Sequence, residues 1–522
     1  MRIESLLRRN AVQFADRPAL IEDHRRLTWS ELDAEVNRLA NALRARGYRE
    51  QERVAVVLTN GCDIPITYFA LWKCNLVSVA INPKLTVHEI RRILQHSGAS
   101  AVICESGPAV EAAADAPTVR EVFHVGDGLP GAQPLHELTK GSSTEDPPVV
   151  GTGDDLRSLR YTSGTTGLPK GCMATHRQQL ASVSNFLIEV EVPRTGPTFL
   201  SVPMTLGVGA FYLTAATYLA VPLLIRRRFD AAAFRADVEA HGVTHAFLVP
   251  TMLVDLAKEL EEHGPWDASP LQLIGYGGAT ISWDVVRAVR DGVGCRMYQG
   301  LGATEAGGYA TLLTPDDHDF LLSRENPSPV VSVGRPAAYA RVRIVDENGE
   351  EVPRGETGEL QLSSASTFSG YWSQPEETRA AIRDGWLSLG DLAWQDERGY
   401  VYLVDRKQGV IRSGSQNVYA AEVEAVVQSC PGVNRAGVVG VPDPRYGEIV
   451  KALVEKADGA DLTAEELIDF CAERLASHKR PRIVEFVPAI PVDDGGKVRR
   501  AELKKLSEAR PVSPGATRQE PQ

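Results

Sequence analysis

The chain lacks the marks of several protein classes. Its seven cysteines, at positions 62, 74, 104, 172, 295, 430 and 471, form no Cys-x-x-Cys and no Cys/His metal spacing. An odd, scattered set reads as reduced thiols in a cytoplasmic protein. No apolar run reaches the roughly 18 residues needed to span a bilayer. The longest tempting stretch, Leu213–Ile225, is interrupted by Thr, Tyr and Pro and reads as a buried helix and strand. Met1-Arg2-Ile3-Glu4 lacks the basic-then-apolar order of a secretory signal. Excess positive charge is also missing. With a net charge of −12 the chain gains nothing from counterion release, which argues against nucleic acid as a partner. An anionic substrate must then be met by local cations. There is no internal repeat. Low complexity is confined to the last dozen residues, 511–522, which read as a disordered tail.

At 522 residues the chain exceeds one ordinary core, so two or more domains are expected. Thr28 and Glu31 form a capping box, followed by Leu32, Val36, Leu39 and Leu43 at helical spacing, with Gly47 as a stop. The run 54–58 reads as a strand buried on both faces. Helix, strand, helix and strand follow near 65–73, 77–81, 87–94 and 101–104, and strands recur near 245–249 and 271–276. Repeated β-α-β predicts a mostly parallel sheet covered by helices. The stretch 106–155, rich in Gly, Pro, Ala and Asp, reads as surface excursions. From about 330, short β segments at 341–345 and 359–362 suggest a β-rich subdomain. After about 405, strands near 436–441, 451–454 and 483–487 and helices near 421–429 and 464–475 suggest a compact α+β unit.

The most informative segment is Tyr161-Thr-Ser-Gly-Thr-Thr-Gly-Leu-Pro-Lys170-Gly171. Glycines let backbone N–H groups approach a polyanion, hydroxyls add donors, and Lys170 adds a point charge. It is not a Walker A loop, because the Gly-Lys-Ser/Thr ending is missing. The segment resembles the phosphate loop of the adenylate-forming superfamily, which holds acyl-CoA synthetases, peptide-synthetase adenylation domains and luciferase. That resemblance implies that Thr162, Ser163, Gly164, Thr165, Thr166, Gly167 and Lys170 hold the phosphates of ATP. Other motifs follow in the family's order and cover nearly the whole chain. Ile274-Gly-Tyr-Gly-Gly-Ala279 resembles the segment lining adenine and the acyl carboxylate, through Gly277, Gly278 and Ala279. Tyr298-Gln-Gly-Leu-Gly-Ala-Thr304-Glu305 resembles the motif in which Thr304 meets the α-phosphate and Glu305 holds Mg²⁺. One carboxylate plus substrate phosphates suits that ion. Leu387-Ser-Leu-Gly-Asp391 and Asp405-Arg406 resemble the ribose-binding Asp and the Arg before the hinge. Ile411-Arg-Ser-Gly414 resembles the loop that forms the pantetheine tunnel. Gly495-Gly-Lys497 resembles the terminal motif whose Lys497 bridges the substrate carboxylate and the α-phosphate.

The implied architecture is α/β. A large N-terminal domain (1–404) has mostly parallel sheets covered by helices plus a β-rich subdomain. A hinge (405–408) and a small mobile α+β C-terminal domain (409–510) follow. The implied reaction is activation of a carboxylic acid by ATP and Mg²⁺ to an acyl-adenylate, then transfer to CoA. Alternatives are loading of a carrier protein, amine or non-carboxylate chemistry on the activated intermediate, or a degenerate binding protein. The acyl pocket is expected from Thr205, Leu206, Gly207, Phe211 and Gly302. Its apolar lining, without an Asp for an α-amino group, disfavours α-amino acids and suits an aryl, aliphatic or β-substituted acid. The sequence departs from the family pattern at Leu206 (usually His or aromatic), Leu301 (usually Tyr, near adenine) and the hinge residue Gln408 (usually Asp or Lys).

Overall fold

The computed structural model describes residues 1–509 apart from 127, 163–169, 267, 280, 325–330, 407–409, 414–415, 444–446, 476–478 and 494–497, and the side chains of 405, 406, 410, 412, 413, 416, 417 and 447. The disordered-tail expectation therefore falls outside the described residues.

The first sheet has seven strands, built in spatial order from 133–134, 121–124, 101–104, 53–57, 77–80, 156–162 and 170–175. All neighbours pair in parallel except the last two, which form an antiparallel hairpin. The central strands are buried along their length, as covered parallel strands must be. A second seven-stranded sheet runs 296–299, 273–276, 245–248, 198–200, 223–225, 18–21 and 26–28, again parallel until its last pair. The helices Trp29–Ala45, Asp63–Lys73, His176–Glu189 and Gly207–Leu219 contribute buried residues to one continuous core that also takes side chains from both sheets. Helix Asp63–Lys73 is buried from Ile64 to Lys73, so it is apolar nearly all round. Its terminal Lys73 is held by Asp33, Asn37 and Asp146 at 2.7, 2.6 and 2.8 Å. A buried ammonium needs that degree of pairing.

The capping box at Thr28 forms as expected, and the helix it opens buries Leu32, Val36, Leu39 and Leu43. The stretch 106–155 differs from the sequence reading. It contains a helix, Gly107–Ala114, and a strand, Glu121–His124, that extends the first sheet. Ala109, Ala112 and Phe123 are fully buried there. Small alanines give a weak periodic signal yet fit close against a sheet, and the surrounding glycines and prolines mask it.

The β-rich segment is an antiparallel sheet of 340–345, 358–364, 386–395 and 382–383, with 401–406 on the far side of 386–395. The last sheet joins 416–419, 410–413, 447–456 and 433–443, with 483–486 parallel to 447–456. Its helices Ala420–Gln428 and Ala464–Ala472 cover a separate core around Val423, Val450 and Leu467.

Candidate active site

Three pieces of chain converge on one acidic side chain. The strand Leu156–Thr162 places Thr162 opposite Lys170 and Arg160 opposite Cys172 on the strand Lys170–Thr175. The free edge of the second strand receives residues 370–372, through Met173 N–H to Gly370 O at 3.0 Å and Trp372 N–H to Gly171 O at 2.8 Å. Tyr371 is thereby fixed beside the hairpin. Its ring centre lies 5.1 Å from Lys170 Nζ, a cation–π distance. Its hydroxyl donates to Glu305 Oε1 at 3.0 Å.

Glu305 and Thr304 sit in the turn of a tight hairpin in which Gly302 faces Tyr309 and Ala303 faces Gly308. Gly307 closes that turn at φ +73°, with its N–H on Thr304 O at 3.2 Å. A Cβ at Gly307 would stand 2.0 Å from Ser366 O, so glycine is required there on both counts. Phe368 N–H holds the Glu305 carbonyl at 2.9 Å. The Cys172 thiol lies against both Glu305 and Thr162, and burial followed by the Glu305 charge pushes its pKa up. The Tyr371 phenol is pushed up by burial and then by Glu305, so it remains a donor at any ordinary pH.

The segment expected to line the acyl pocket meets this cluster at Thr304. Gly207 is the first residue of the helix Gly207–Leu219, and a Cβ there would lie 3.8 Å from Thr304 Oγ1. Leu206 precedes it in extended conformation, with no capping side chain. Thr205 is buried, and its hydroxyl has no hydrogen-bond partner among the described residues. Phe211 is buried against Phe186, Tyr212 and Tyr309, with ring centres 5.3, 5.2 and 5.4 Å away. Behind Phe211 the hydroxyls of Tyr298 and Tyr309 each lie 2.7 Å from Tyr212 Oη, and His245 Nε2 lies 2.9 Å from Tyr298 Oη. This block of rings is fully buried and hydrogen-bonded, so it is a rigid wall. A Cβ at Gly275 would come within 2.2 Å of the Tyr298 ring, so the wall presses directly on the strand Leu273–Tyr276.

That strand ends at Gly277, Gly278 and Ala279, in register beside the strand Arg296–Gln299. Gly277 approaches Gly300 O so closely that a Cβ would be 3.2 Å from it, and Gly278 adopts φ +98°. Leu301 is partly buried against the β-rich segment's cluster of Ala306, Leu360 and Phe368. Asp391 is partly buried and stands opposite Arg406 across the antiparallel pair 386–395 and 401–406.

Thr162, Lys170, Gly207, Thr304 and Glu305 are thus neighbours. Ser163, Gly164, Thr165, Thr166, Gly167, Gln408, Gly414 and Lys497 lie outside the described residues. Tyr371 and Cys172 were not singled out from the sequence. Cys172 directly follows the phosphate loop, so its place on the same hairpin was readable, whereas Tyr371 lies 66 residues from Glu305 in a segment with no motif. Among the described residues no cluster of three or more His, Cys, Asp or Glu side chains could enclose a metal. A single carboxylate such as Glu305, beside the hairpin expected to hold the phosphates, would fit Mg²⁺, which keeps several waters and is shared with substrate phosphates.

Residues 7–372 match the AMP-binding enzyme family, and residues 422–497 match the AMP-binding enzyme C-terminal domain. The chain is 35% identical over 490 residues to a feruloyl-CoA synthase of Amycolatopsis sp., covering 92% of this chain and 94% of that one. It is 32% identical over 493 residues to the fatty acid–[acyl-carrier-protein] ligase ScoC of Streptomyces coeruleorubidus, covering 93% of each. The o-succinylbenzoate CoA synthetase MenE of Bacillus subtilis, solved with its acyl-adenylate intermediate, superposes with a TM-score of 0.85 at 26% identity, covering 96% of this chain and 97% of that one. MenE has also been solved with ATP and a magnesium ion. This chain belongs to the AMP-binding enzyme family, the adenylate-forming enzymes.

Proposed function

We propose that the protein activates a compact carboxylic acid with ATP and transfers the acyl group to the thiol of CoA. The observation that carries this reading is the shared tyrosine. Lys170, a phosphate-binding cation, and Glu305, a metal-binding carboxylate, bracket the same Tyr371 ring. The two charges a nucleoside triphosphate needs are therefore fixed relative to each other.

In the first half-reaction a carboxylate oxygen forms a bond to the α-phosphorus, the bond to the β-phosphate oxygen breaks, and pyrophosphate leaves. Nucleophile and polyphosphate are both anionic, so Lys170 and Lys497 lower their repulsion while Thr304 orients the α-phosphate. Bound Mg²⁺ supplies further charge neutralisation, with Glu305 as its protein ligand. Gly277, Gly278 and Ala279 line the adenine side, and Asp391 accepts from ribose hydroxyls. In the second half-reaction a thiolate attacks the acyl carbon and AMP departs. For that step the unit after residues 405–408 rotates about Gln408, withdraws Lys497 and brings Gly414 to the thiol path.

The aromatic wall behind Phe211 supports a short acid, aryl or small, over a long aliphatic chain. A second reading, an acyl-carrier-protein thiol as acceptor, is favoured by the 32% identity to ScoC. Acid-dependent pyrophosphate release is measured with and without CoA, and the product is read by mass. Acyl-CoA formation supports the reading. Adenylate formation that ignores CoA moves the acceptor to a carrier protein, and no adenylate from any carboxylic acid overturns it.

A further inference from the structure

The strand Leu156–Thr162 carries two arginines into the core. Arg157 is fully buried and Arg160 is 8% exposed. The register of this strand slips between Leu156 and Ser158, so Arg157 is the extra residue of a β-bulge. A bulge lets neighbouring side chains leave on one face. Arg160 lies on the face of Thr162 and Cys172, the face that holds Glu305.

Neither arginine forms an ion pair among the described residues. Arg157 donates to Gln179 Oε1, its one hydrogen bond among the described residues, and its guanidinium lies 5.4 Å from the centre of the Trp72 ring. Its Nε and Nη1, the Nε of Arg160 and the Ser158 hydroxyl are buried with no hydrogen-bond partner among the described residues. Tyr68 stacks on Trp72 at 5.5 Å and feels the charge of both guanidiniums. Its hydroxyl donates to Met204 O at 3.3 Å, one residue from Thr205 of the expected acyl pocket. Burial, and then the charge of Arg160, presses on the charged form of Arg157. A guanidinium does not shed its proton, so that demand is met by a counter-anion. Among the described residues no carboxylate pairs with either guanidinium: Glu4 lies 3.8 Å from His176, and Glu305 Oε1 accepts from the Tyr371 hydroxyl.

We infer that Arg157 and Arg160, with Ser158 and Tyr68, form an internal receptor for a carboxylate-class anion beneath the acyl site, occupied by a second acidic group on the acid substrate. The substrate assignment rests on the acid-activation reading, whereas the receptor does not. The receptor also explains how an enzyme of net charge −12 would select a doubly anionic acid. The same chemistry could be supplied by a small solute anion, so the test has two arms.

In the first arm, kcat/KM for ATP–pyrophosphate exchange is compared for acids matched except for a second carboxylate, such as benzoate with isophthalate and butyrate with succinate. The expected preference for the diacid is about 100-fold in the native protein, is lost in Arg160→Met, and is partly restored in Arg160→Lys. In the second arm, thermal unfolding is followed with formate replacing gluconate at constant ionic strength. Formate raises the native midpoint by about 2 °C and leaves the Arg157→Met/Arg160→Met double variant unmoved. Methionine replaces each buried charge with a similar volume, so folding is retained. Loss of the diacid preference in Arg160→Met assigns the anion to the substrate. No diacid preference, with a formate effect that depends on the arginines, assigns it to a solute anion. No dependence in either arm overturns the receptor. If no acid drives exchange at all, the acid-activation reading falls, and the formate arm still decides the receptor.

Discussion

Replacing Tyr371 with Phe isolates the link between the phosphate hairpin and the acidic turn. The substitution removes one hydroxyl, which donates to Glu305 Oε1 at 3.0 Å, and keeps the ring that faces Lys170 Nζ. A hydrogen bond to a charged group contributes about 1.5–3 kcal/mol, corresponding to roughly 10- to 150-fold in an equilibrium or rate constant. Glu305 keeps its backbone anchor, the Phe368 N–H at 2.9 Å, so the turn itself stays in place. The loss should therefore appear in how the carboxylate is aimed. Supporting partners of a metal ligand typically change metal affinity 10- to 100-fold when removed. The Mg²⁺ concentration for half-maximal ATP–pyrophosphate exchange should rise about tenfold, with the maximal rate falling less. Burial and the nearby carboxylate keep the phenol protonated, so the shift should not vary between neutral and mildly alkaline pH. Tyr371→Leu also removes the ring and should add roughly a threefold rise in the KM for ATP, the size of an exposed cation–π contact. An unchanged Mg²⁺ dependence in Tyr371→Phe would refute the reasoning, because the hydroxyl would then be holding structure and not the ligand.

Three further outcomes are expected. Lys497→Ala should abolish adenylation yet leave thiolation of a supplied acyl-adenylate, and equal loss of both half-reactions in stopped-flow assays would contradict its role. Across a series of straight-chain acids, kcat/KM should fall beyond about eight carbons, and Phe211→Ala should restore roughly fourfold per added methylene, the value of one buried CH₂. Burial lowers the pKa of His176 to about 2, His245 to about 3 and His318 to about 4, against an ordinary 6.5. Below about 6.5 the unfolded chain takes up protons that the native state refuses. Stability is then complete above that value and declines as pH drops toward the folded values, by about 1.4 kcal/mol per pH unit for each histidine. Urea unfolding between pH 4.5 and 7.5 should show this slope, and His318→Gln should remove about one third of it.

The parts of this molecule legible in the sequence are those whose physics is local. The capping box at Thr28, the solid apolar strand at 54–58 and the helical spacing of Leu32, Val36, Leu39 and Leu43 each depend on neighbours within a few positions, and each appears in the structure. The motif at 161–171 is legible as a local string of Gly, Ser and Thr ending in Lys170, whereas the antiparallel pairing of Thr162 with Lys170 is a finding of the structure. The helix at 107–114 was hidden because alanine buries little area and signals weakly. Tyr371 was hidden because its function exists only once residues 370–372 dock on the edge of strand 170–175, a pairing of distant segments that no spacing announces.

The buried arginines show the same divide from the other side. In the sequence, Arg157 and Arg160 stand three residues apart, which in a regular strand would send them to opposite faces, and the sequence reading does not single them out. Burial on both faces turns each into a question of charge. A guanidinium can be drawn partly out of water if a carboxylate faces it, as Asp237 faces the half-buried Arg226 at 2.8 Å just past the strand 223–225. Among the described residues no carboxylate pairs with Arg157 or Arg160, and the cost of an unpaired buried charge is several kcal/mol. That cost falls next to Thr205 and the Glu305 cluster, where the proposed acid would arrive carrying negative charge. If the ligand carries it, the pair destabilises the empty enzyme and stabilises the loaded one. Acid binding should then raise the melting temperature more in the native protein than in Arg157→Met, while the unliganded variant melts higher than the unliganded native protein. A lower unliganded melting temperature for Arg157→Met would show that Gln179 and Trp72 already satisfy the arginine, and would remove the energetic reason for an anion there.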